Sequence, residues 1–400
     1  MHLDWTLLAL LVIAVTGFFA GRARAVSAVG GTVRRLHSLP SYHGYLVALA
    51  GLVPGLVVLV FWLVLSIPLG LAPGFWQPAL CLFVSLVLSV FTFTRITPEN
   101  RARTQVEKIT LGLLMTAAML AILTTLGIVL SLIFNTIEFF RLYPVSDFFF
   151  GLTWQPSFGG GSSLGIIPLL WGTLYISLIA LMVAVPIGLF AAIYLSEYAG
   201  SKTRTFAKPM LEILAGIPTI VYGLFALLTV GPLLLSVFGS NGLGWMSGGT
   251  AVITAGLVMG IMLIPFVSSL SDDIINAVPQ ALRDGSLGLG ATKSETIRQV
   301  VLPAALPGIV GAILLAASRA IGETMIVVLG AGAAARLSMN PFEAMTTVTA
   351  KIVSQLTGDS DFSSPEALVA FSLGMTLFVL TLGLNVFALY IVRKYREQYE

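Results

Sequence analysis

The chain has 400 residues, of which 57% are hydrophobic and only 10% are charged, and its mean hydropathy is +0.98. Soluble globular domains carry about 25% charged residues, so this composition excludes them and indicates an integral protein of the lipid bilayer. The net charge is +3, and the basic residues lie mainly in the connections between apolar segments. We therefore interpret the charge as a signal of membrane topology and do not expect nucleic-acid binding. Apolar runs of about 20 residues predict transmembrane helices, and the alternating pattern of a membrane β-barrel is absent.

Nine apolar segments in chain order predict nine transmembrane helices. They lie near residues 4–20, 44–66, 76–94, 109–134, 166–195, 210–238, 250–270, 304–335 and 367–392. The basic stretch 96–108 is predicted to be a cytoplasmic linker. It separates an N-terminal region with about three helices, residues 1–95, from a six-helix remainder, residues 109–400. We therefore expect an all-α polytopic membrane protein with two parts.

The basic residues of the connections predict the orientation, because positively charged loops stay on the cytoplasmic side of a membrane. Only Arg141, Arg336 and Lys351 fall in connections on one side, and Arg319 lies inside a span. All other basic residues fall on the opposite side: Arg22, Arg24, Arg34, Arg35, Arg95, Arg101, Arg103, Lys108, Lys202, Arg204, Lys208, Arg283, Lys293, Arg298, Arg393, Lys394 and Arg396. This asymmetry predicts an N-terminus outside and a C-terminus in the cytoplasm.

One cytoplasmic connection, residues 271–303, is too patterned to be a plain linker. Pro279 can begin a short helix, and Thr292 and Glu295 form a T-x-x-E capping box that starts a second helix. Pro303 is expected to end the second helix at the next span. Two interpretations stay open on shape alone: the hairpin lies on the membrane surface, or it docks into a groove of a partner protein.

We expect this chain to bind no cofactor and to catalyse no reaction. The loop sequence GSLGLGATKS lacks the spacing of a phosphate-binding P-loop, because two residues separate Gly290 from Lys293. The three histidines have no metal-ligand spacing, and no nucleophile accompanies a base. Any ATP and Mg²⁺ would therefore be bound by a partner ATPase, and this chain would be a transport subunit.

The loop resembles the signature of bacterial ABC importer permeases, which contains an E-A-A triplet, a glycine and an I-x-L-P ending. The matching positions are Asp284, Gly285 and Ser286 for the triplet, Gly290 followed by Ala291, and Val300, Leu302 and Pro303 for the ending. Aspartate stands in place of the glutamate, and glycine in place of the first alanine. The resemblance implies that residues 271–303 couple the permease to a separate ATPase.

Two further stretches, GIPTIVYGLFAL at 216–227 and SRAIGETM at 318–325, are similar to permeases of the phosphate-specific transport (Pst) system, of PstC type. The resemblance covers residues 109–400 and implies a MetI-like six-helix permease core in a bacterial cytoplasmic (inner) membrane. It also implies a heterodimer with a PstA-type permease, a cytoplasmic ATPase dimer and an extracytoplasmic phosphate-binding protein. Sulfate or molybdate as cargo stays an alternative, as does an ion-gradient-driven transporter or channel.

Arg319 and Glu323 stand four residues apart within the span predicted at 304–335, a spacing that predicts a pair on one helix face. One interpretation is an ion pair that locks helix packing. The other is a pair that lines the translocation path, in which Arg319 binds an oxyanion and Glu323 competes for it.

Thr324, Thr219 and Tyr222 are further candidates for the path, since each carries a hydroxyl group. The alternative for Thr324 is a hydrogen bond back to its own helix. For the other two, the glycines and proline of GIPTIVYG also suit a bend with tight packing.

Overall fold

The structure, a computed structural model, describes residues 3–30, 34, 36–69, 76–157, 161–240, 242–358 and 364–396. Within these ranges, nine helices are long and apolar enough to cross a membrane, which agrees with the nine predicted spans. They are Asp4–Ala28, Pro40–Ser66, Trp76–Thr94, Ala102–Leu142, Ile167–Tyr198, Thr219–Phe238, Val252–Ala277, Lys293–Ile321 and Pro365–Lys394.

The internal contacts of the chain divide it into two compact units, residues 1–127 and 128–400, and the division falls within a long helix. The first unit contains α1 (Leu3–Ala28), α2 (Pro40–Leu69), α3 (Trp76–Thr94) and the beginning of α4 (Ala102–Leu142). A Cβ atom on Gly55 of α2 would lie 2.6 Å from Cδ2 of Leu10 in α1, so glycine permits this close packing. The predicted linker 96–108 stays a prediction, and its last residues form the first turns of α4.

The second unit runs from the rest of α4 to the last helix. Its elements are α5 (Val145–Phe150), β1 (Trp154–Gln155), β2 (Ser163–Leu164), α6 (Ile167–Ile193), α7 (Ser201–Ala215), α8 (Thr219–Phe225), α9 (Gly231–Phe238), α10 (Val252–Ala277), α11 (Gln280–Gly288), α12 (Lys293–Thr296), α13 (Leu302–Ile321), α14 (Met325–Gly330), α15 (Val348–Gly358) and α16 (Pro365–Arg396). The two strands pair antiparallel, with Trp154 opposite Leu164. π-helical turns extend α6 over Tyr194–Tyr198, join α8 to α9 over Ala226–Val230, and join α12 to α13 over Ile297–Val301.

The core of the second unit forms around α10, which packs closely on α6. A Cβ on Gly256 would lie 2.6 Å from Cγ2 of Ile179, and one on Gly260 would lie 2.8 Å from Cβ of Val183. Glycine at both positions therefore lets the two helix backbones approach each other. The buried residues of this cluster also come from α8, α13 and α14.

Two predicted spans have different bounds in the structure. The segment predicted at 210–238 is two elements, because α7 ends at Ala215 and α8 begins after Pro218. Proline disfavours a helical conformation in the residue before it, which separates the two helices. The span predicted at 304–335 is also interrupted, because α13 ends at Ile321 and the short α14 begins at Met325.

The prediction that Pro303 ends the second helix of the 271–303 loop is wrong. The helix that begins with α12 continues through the π turn into α13. The N–H of Leu302 bonds to the carbonyl oxygen of Ile297, five residues back. This wider turn changes the hydrogen-bond pattern immediately before Pro303, so the helix passes a residue that has no N–H to donate.

Candidate functional site

Arg319 lies in the last turn of α13, and its side chain is exposed. Its guanidinium carbon lies 5.4 Å from the centroid of the Phe266 ring of α10. Among the described residues, no carboxylate oxygen lies within 4.0 Å of the guanidinium nitrogens. The predicted ion pair with Glu323 is therefore wrong. Because α13 ends at Ile321, the two residues do not share a helix face.

Glu323 instead stabilises the break between α13 and α14. One carboxylate oxygen, Oε1, accepts the backbone N–H groups of Thr324 and Met325, each at 3.1 Å. The first N–H groups of a helix have no partner within it, so a carboxylate at this position satisfies them. The side chain is buried, and the backbone oxygen of Glu323 accepts the Thr349 hydroxyl at 2.8 Å.

The three candidate hydroxyl groups lie in different settings, and of these only Thr324 is placed at the break. Tyr222 is buried and donates its hydroxyl to the carbonyl oxygen of Leu214 at 2.8 Å, which connects α8 to the end of α7. Thr324 donates to the carbonyl oxygen of Gly322 at 3.4 Å, a long bond back to its own segment. Thr219 is half-buried at the first position of α8. The transport roles of all three stay predictions.

The two stretches that carried the Pst resemblance lie against one another. A Cβ on Gly223 of α8 would lie 2.9 Å from the carbonyl oxygen of Met325 and 2.8 Å from Cδ1 of Leu329. Only a residue without a side chain permits this approach of α8 to α14. α8 therefore packs on α14, which begins directly after the break.

A second charged cluster lies nearer the C-terminal end of α10 and was missed by the sequence analysis. Asp272 is 3% exposed and accepts bonds from Arg204 at 3.2 Å, Lys208 at 3.0 Å and Asn276 at 2.9 Å. The hydrogen bond to Asp272 raises the pKa of the Lys208 ammonium. The two basic residues lie four apart on α7, so this cluster attaches α7 to α10. In the sequence, only the four-residue spacing of Arg204 and Lys208 indicated that both could bond to one acidic group.

The 271–303 loop is a helix-turn-helix, as predicted. Its first helix, α11, begins after Pro279. Gly290 has φ of +89°, a left-handed conformation that favours glycine and turns the chain. The predicted capping box is confirmed, because the Thr292 hydroxyl accepts the N–H of Glu295 at 3.3 Å and the Glu295 carboxylate accepts the N–H of Thr292 at 2.8 Å.

The residues matching the triplet lie on α11. Asp284 is exposed and accepts a bond from the side-chain amide of Gln280 at 3.0 Å. Gly285 is exposed, and a Cβ there would meet nothing within 4 Å. The Ser286 and Thr296 hydroxyls lie 2.9 Å apart and join the two helices of the hairpin. One face of the hairpin is therefore open, and the other is internally bonded.

The remaining matched residues lie at the turn and at the start of α13. The N–H of Ala291 donates to the carbonyl oxygen of Ser286 at 3.2 Å. Leu302 is half-buried against the ends of α6 and α10, whereas Pro303 is exposed. Beside the turn, Leu289 is 92% exposed, so the tip of the hairpin presents an uncovered apolar side chain.

Comparisons with known proteins agree with this architecture. Residues 184–397 match the family described as binding-protein-dependent transport system inner membrane component, and residues 7–69 match the family described as phosphate ATP-binding cassette transporter. The phosphate transport system permease protein PstC of Mesorhizobium japonicum is 33% identical over 293 residues, covering 70% of this chain and 87% of that protein. The probable ABC transporter permease protein YqgH of Bacillus subtilis is 30% identical over 286 residues, covering 71% and 90%.

A solved structure has the same fold. A permease chain of a bacterial ABC transporter involved in the import of alginate has a TM-score of 0.50 at 17% sequence identity, covering 72% of this chain and 98% of that chain. The fold prediction, a MetI-like six-helix permease core preceded by about three further helices, is confirmed. The chain is a permease of the inner membrane and belongs to the PstC family of phosphate transport system permeases.

Proposed function

We propose that this chain carries inorganic phosphate inward across the cytoplasmic membrane as one permease subunit of an ATP-driven importer. The observation that carries this proposal is the exposed guanidinium of Arg319, which has no carboxylate neighbour in the described part of the chain. A charge within a membrane span is unfavourable by about 2.5 to 3.5 kcal/mol, so such groups usually mark a pathway. The planar guanidinium can donate two parallel hydrogen bonds to phosphate oxygens.

The surroundings of Arg319 suit transient binding. The ring of Phe266 supports the guanidinium without occupying its N–H groups, since a cation over an aromatic face interacts with the π electrons. Glu323 holds the start of α14 in place. In this proposal Thr219, Tyr222 and Thr324 supply polar groups along the path. The break between α13 and α14 lets Arg319 change its distance from α14 between transport states, so that phosphate is released.

The hairpin of residues 271–303 is the proposed docking site for the ATPase. Its open face carries Asp284 and Gly285, and its tip carries Gly290, Ala291 and the exposed Leu289. A projecting apolar side chain on a rigid helical hairpin suits insertion into a groove. ATP and Mg²⁺ would be bound and hydrolysed by the partner, and the hairpin would transmit its movement to the permease.

The proposed complex contains a PstA-type permease as the second half of a heterodimer, a cytoplasmic ATPase dimer and an extracytoplasmic phosphate-binding protein. The second permease would cover the exposed face of α13 that carries Arg319. The distribution of basic residues supports an N-terminus outside and a C-terminus in the cytoplasm.

The test is ATP-driven uptake of labelled phosphate into proteoliposomes that contain the full complex, with labelled sulfate as the alternative cargo. Arg319→Ala should lower phosphate uptake at least about 100-fold, because two charge-assisted bonds together contribute about 3 kcal/mol or more. Arg103→Ala, a matched change at an exposed arginine of the first unit, should have no effect. Normal uptake by an assembled Arg319→Ala complex, or uptake of sulfate in place of phosphate by the wild type, would refute the proposal.

A further inference from the structure

Arg283 of α11 bonds to three separate groups, although nothing in its sequence neighbourhood indicates this. Its Nε and Nη2 atoms donate to one carboxylate oxygen of Glu197 at 3.2 and 3.1 Å. Nη2 also donates to the carbonyl oxygen of Ile275 at 2.7 Å, and Nη1 donates to that of Val278. The side chains of Arg283 and Glu197 are only 12% and 11% exposed. The guanidinium is therefore held on several sides within the protein.

The three acceptors belong to the ends of two core helices. Glu197 lies in the π turn that extends α6, while Ile275 lies in the last turn of α10 and Val278 directly follows it. The last carbonyl groups of a helix lack the usual partner four residues on, so Arg283 adds a donor at the end of α10. The carbonyl oxygen of Ile275 also accepts the N–H of Val278, at 3.3 Å. A lysine could not do the same, because one ammonium lacks the fixed fork of donors.

The helices that Arg283 joins form one closely packed pair. Gly256 and Gly260 of α10 lie against Ile179 and Val183 of α6, as described above. Such packing resists sliding, because interiors are close-packed and repack in discrete steps. A displacement of α11 that reaches the ends of α6 and α10 would therefore move both helices together.

The same helix, α10, carries the aromatic ring under the proposed transport site. Phe266 precedes Ile275 by nine residues, a rise of about 13.5 Å along an α-helix. Its ring contacts the guanidinium of Arg319. A continuous series of contacts thus leads from Arg283 through α10 to Arg319.

We propose that Arg283 is a positioning residue that makes the coupling hairpin and the α6–α10 pair one mechanical body. Movement of the hairpin by the ATPase then moves Phe266 and the site at Arg319. This inference rests on the proposed function and adds a second connection between its two parts, beside the helix that continues from α12 into α13. The alternative is a hairpin that moves the permease only through its apolar base and through the helix that continues from α12 into α13. The Arg283 bonds would then contribute to stability alone.

The experiment measures phosphate uptake and ATP hydrolysis in the same proteoliposomes of the full complex. Arg283→Met should lower the number of phosphate ions imported per ATP hydrolysed by about 3-fold to 30-fold, the usual range for residues that carry coupling. Arg283→Lys should lower this ratio nearly as much as Arg283→Met. Glu197→Gln should lower it less, because Arg283 keeps its bonds to the two carbonyl oxygens. The matched control is Arg103→Lys, whose arginine pairs with Glu107 on the surface of α4.

A purely structural role predicts another result. Fewer complexes would then assemble, and uptake and hydrolysis would fall in proportion, leaving the ratio unchanged. That outcome for Arg283→Met, with normal uptake by the wild type, would overturn the inference while the proposed function stands. Absence of phosphate uptake by the wild type would instead refute the proposed function.

A covalent replacement of the bond gives a second test that does not depend on the folding of Arg283→Met. In a background with Cys81→Ser, the double variant Glu197→Cys and Arg283→Cys should have a low ratio of uptake to hydrolysis. Bridging the two thiols with a short bis-maleimide should restore the ratio. A full ratio before bridging, or no recovery in complexes shown to be bridged, would contradict the role of Arg283.

Discussion

Two substitutions of Glu323 distinguish its observed bonds to backbone N–H groups from an ion pair with Arg319, which the four-residue spacing suggested. Its oxygen accepts two backbone N–H groups at 3.1 Å in a position that is 9% exposed. Hydrogen bonds to charged groups contribute about 1.5 kcal/mol or more each, so Glu323→Ala should destabilise the break by about 3 kcal/mol. Glu323→Gln keeps a side-chain oxygen and makes neutral bonds of about 1 kcal/mol each, so it should lose only about 1 kcal/mol.

The assay compares both variants in phosphate uptake by the reconstituted complex, with thermal unfolding of the purified complex as the stability measurement. Glu323→Gln should retain most of the wild-type uptake and unfold close to the wild-type temperature. Glu323→Ala should lose most of its uptake and unfold at a lower temperature. The two variants differ in a bond acceptor, whereas both lack the negative charge.

An equal loss of uptake in the two variants would refute this reasoning. It would show that the charge of Glu323 matters more than its bonds to the start of α14. The pairing with Arg319 would then have to form in another state of the transport cycle.

Three further results are expected from other parts of the structure. Phe266→Leu should raise the KM for phosphate about 2-fold to 5-fold with little change in assembly, because a cation–π contact contributes about 0.5 to 1 kcal/mol. The Asp272 carboxylate raises the pKa of Lys208, so the stabilisation that the protonated Lys208 gives should be lost as the pH rises above 10.5 and through the raised pKa. The unfolding temperature of the wild-type complex should fall over this pH range. In Lys208→Met this part of the fall should be absent. Gly290→Pro should abolish uptake and ATP-coupled turnover while membrane insertion stays normal, because proline cannot adopt the φ of +89° found there.

The features that the sequence predicted correctly depend on short stretches of chain. The nine spans follow from local hydropathy, and the capping box of Thr292 and Glu295 follows from a four-residue pattern. The turn at Gly290 was also expected, because two glycines interrupt the helical pattern. Each of these signals lies within a stretch of at most about 20 residues. The number of spans is therefore correct, although the bounds of two spans differ from those predicted.

The break after α13 could not be found from the same kind of pattern. SRAIGETM sits within an apolar run and offers an i, i+4 pair of opposite charges, so a continuous helix was the simpler interpretation. In the structure the carboxylate of Glu323 bonds to backbone N–H groups, and its carbonyl oxygen accepts a hydroxyl from Thr349. The second contact comes from a residue 26 positions later, which no local pattern includes.

The charged contacts of the hairpin and of α7 were missed for a related reason. Arg283 and Glu197 are 86 residues apart, and Arg204 and Asp272 are 68 residues apart. Within their own segments, these residues look like the positive and negative charges of ordinary cytoplasmic loops. Their partners are determined by the packing of α6, α7 and α10, which a single sequence does not reveal.

The contrast among these arginines supports the role proposed for Arg319. Arg204 and Arg283 each bond to a carboxylate that is mostly buried, Asp272 or Glu197, so their charges are compensated within the chain. Arg319 has an aromatic ring on one side and, among the described residues, no carboxylate within reach. An arginine that served only helix packing would gain most from a fixed acidic partner. Arg319 has no such partner in the described part of the chain, and this agrees with the proposal that its N–H groups bind the transported oxyanion.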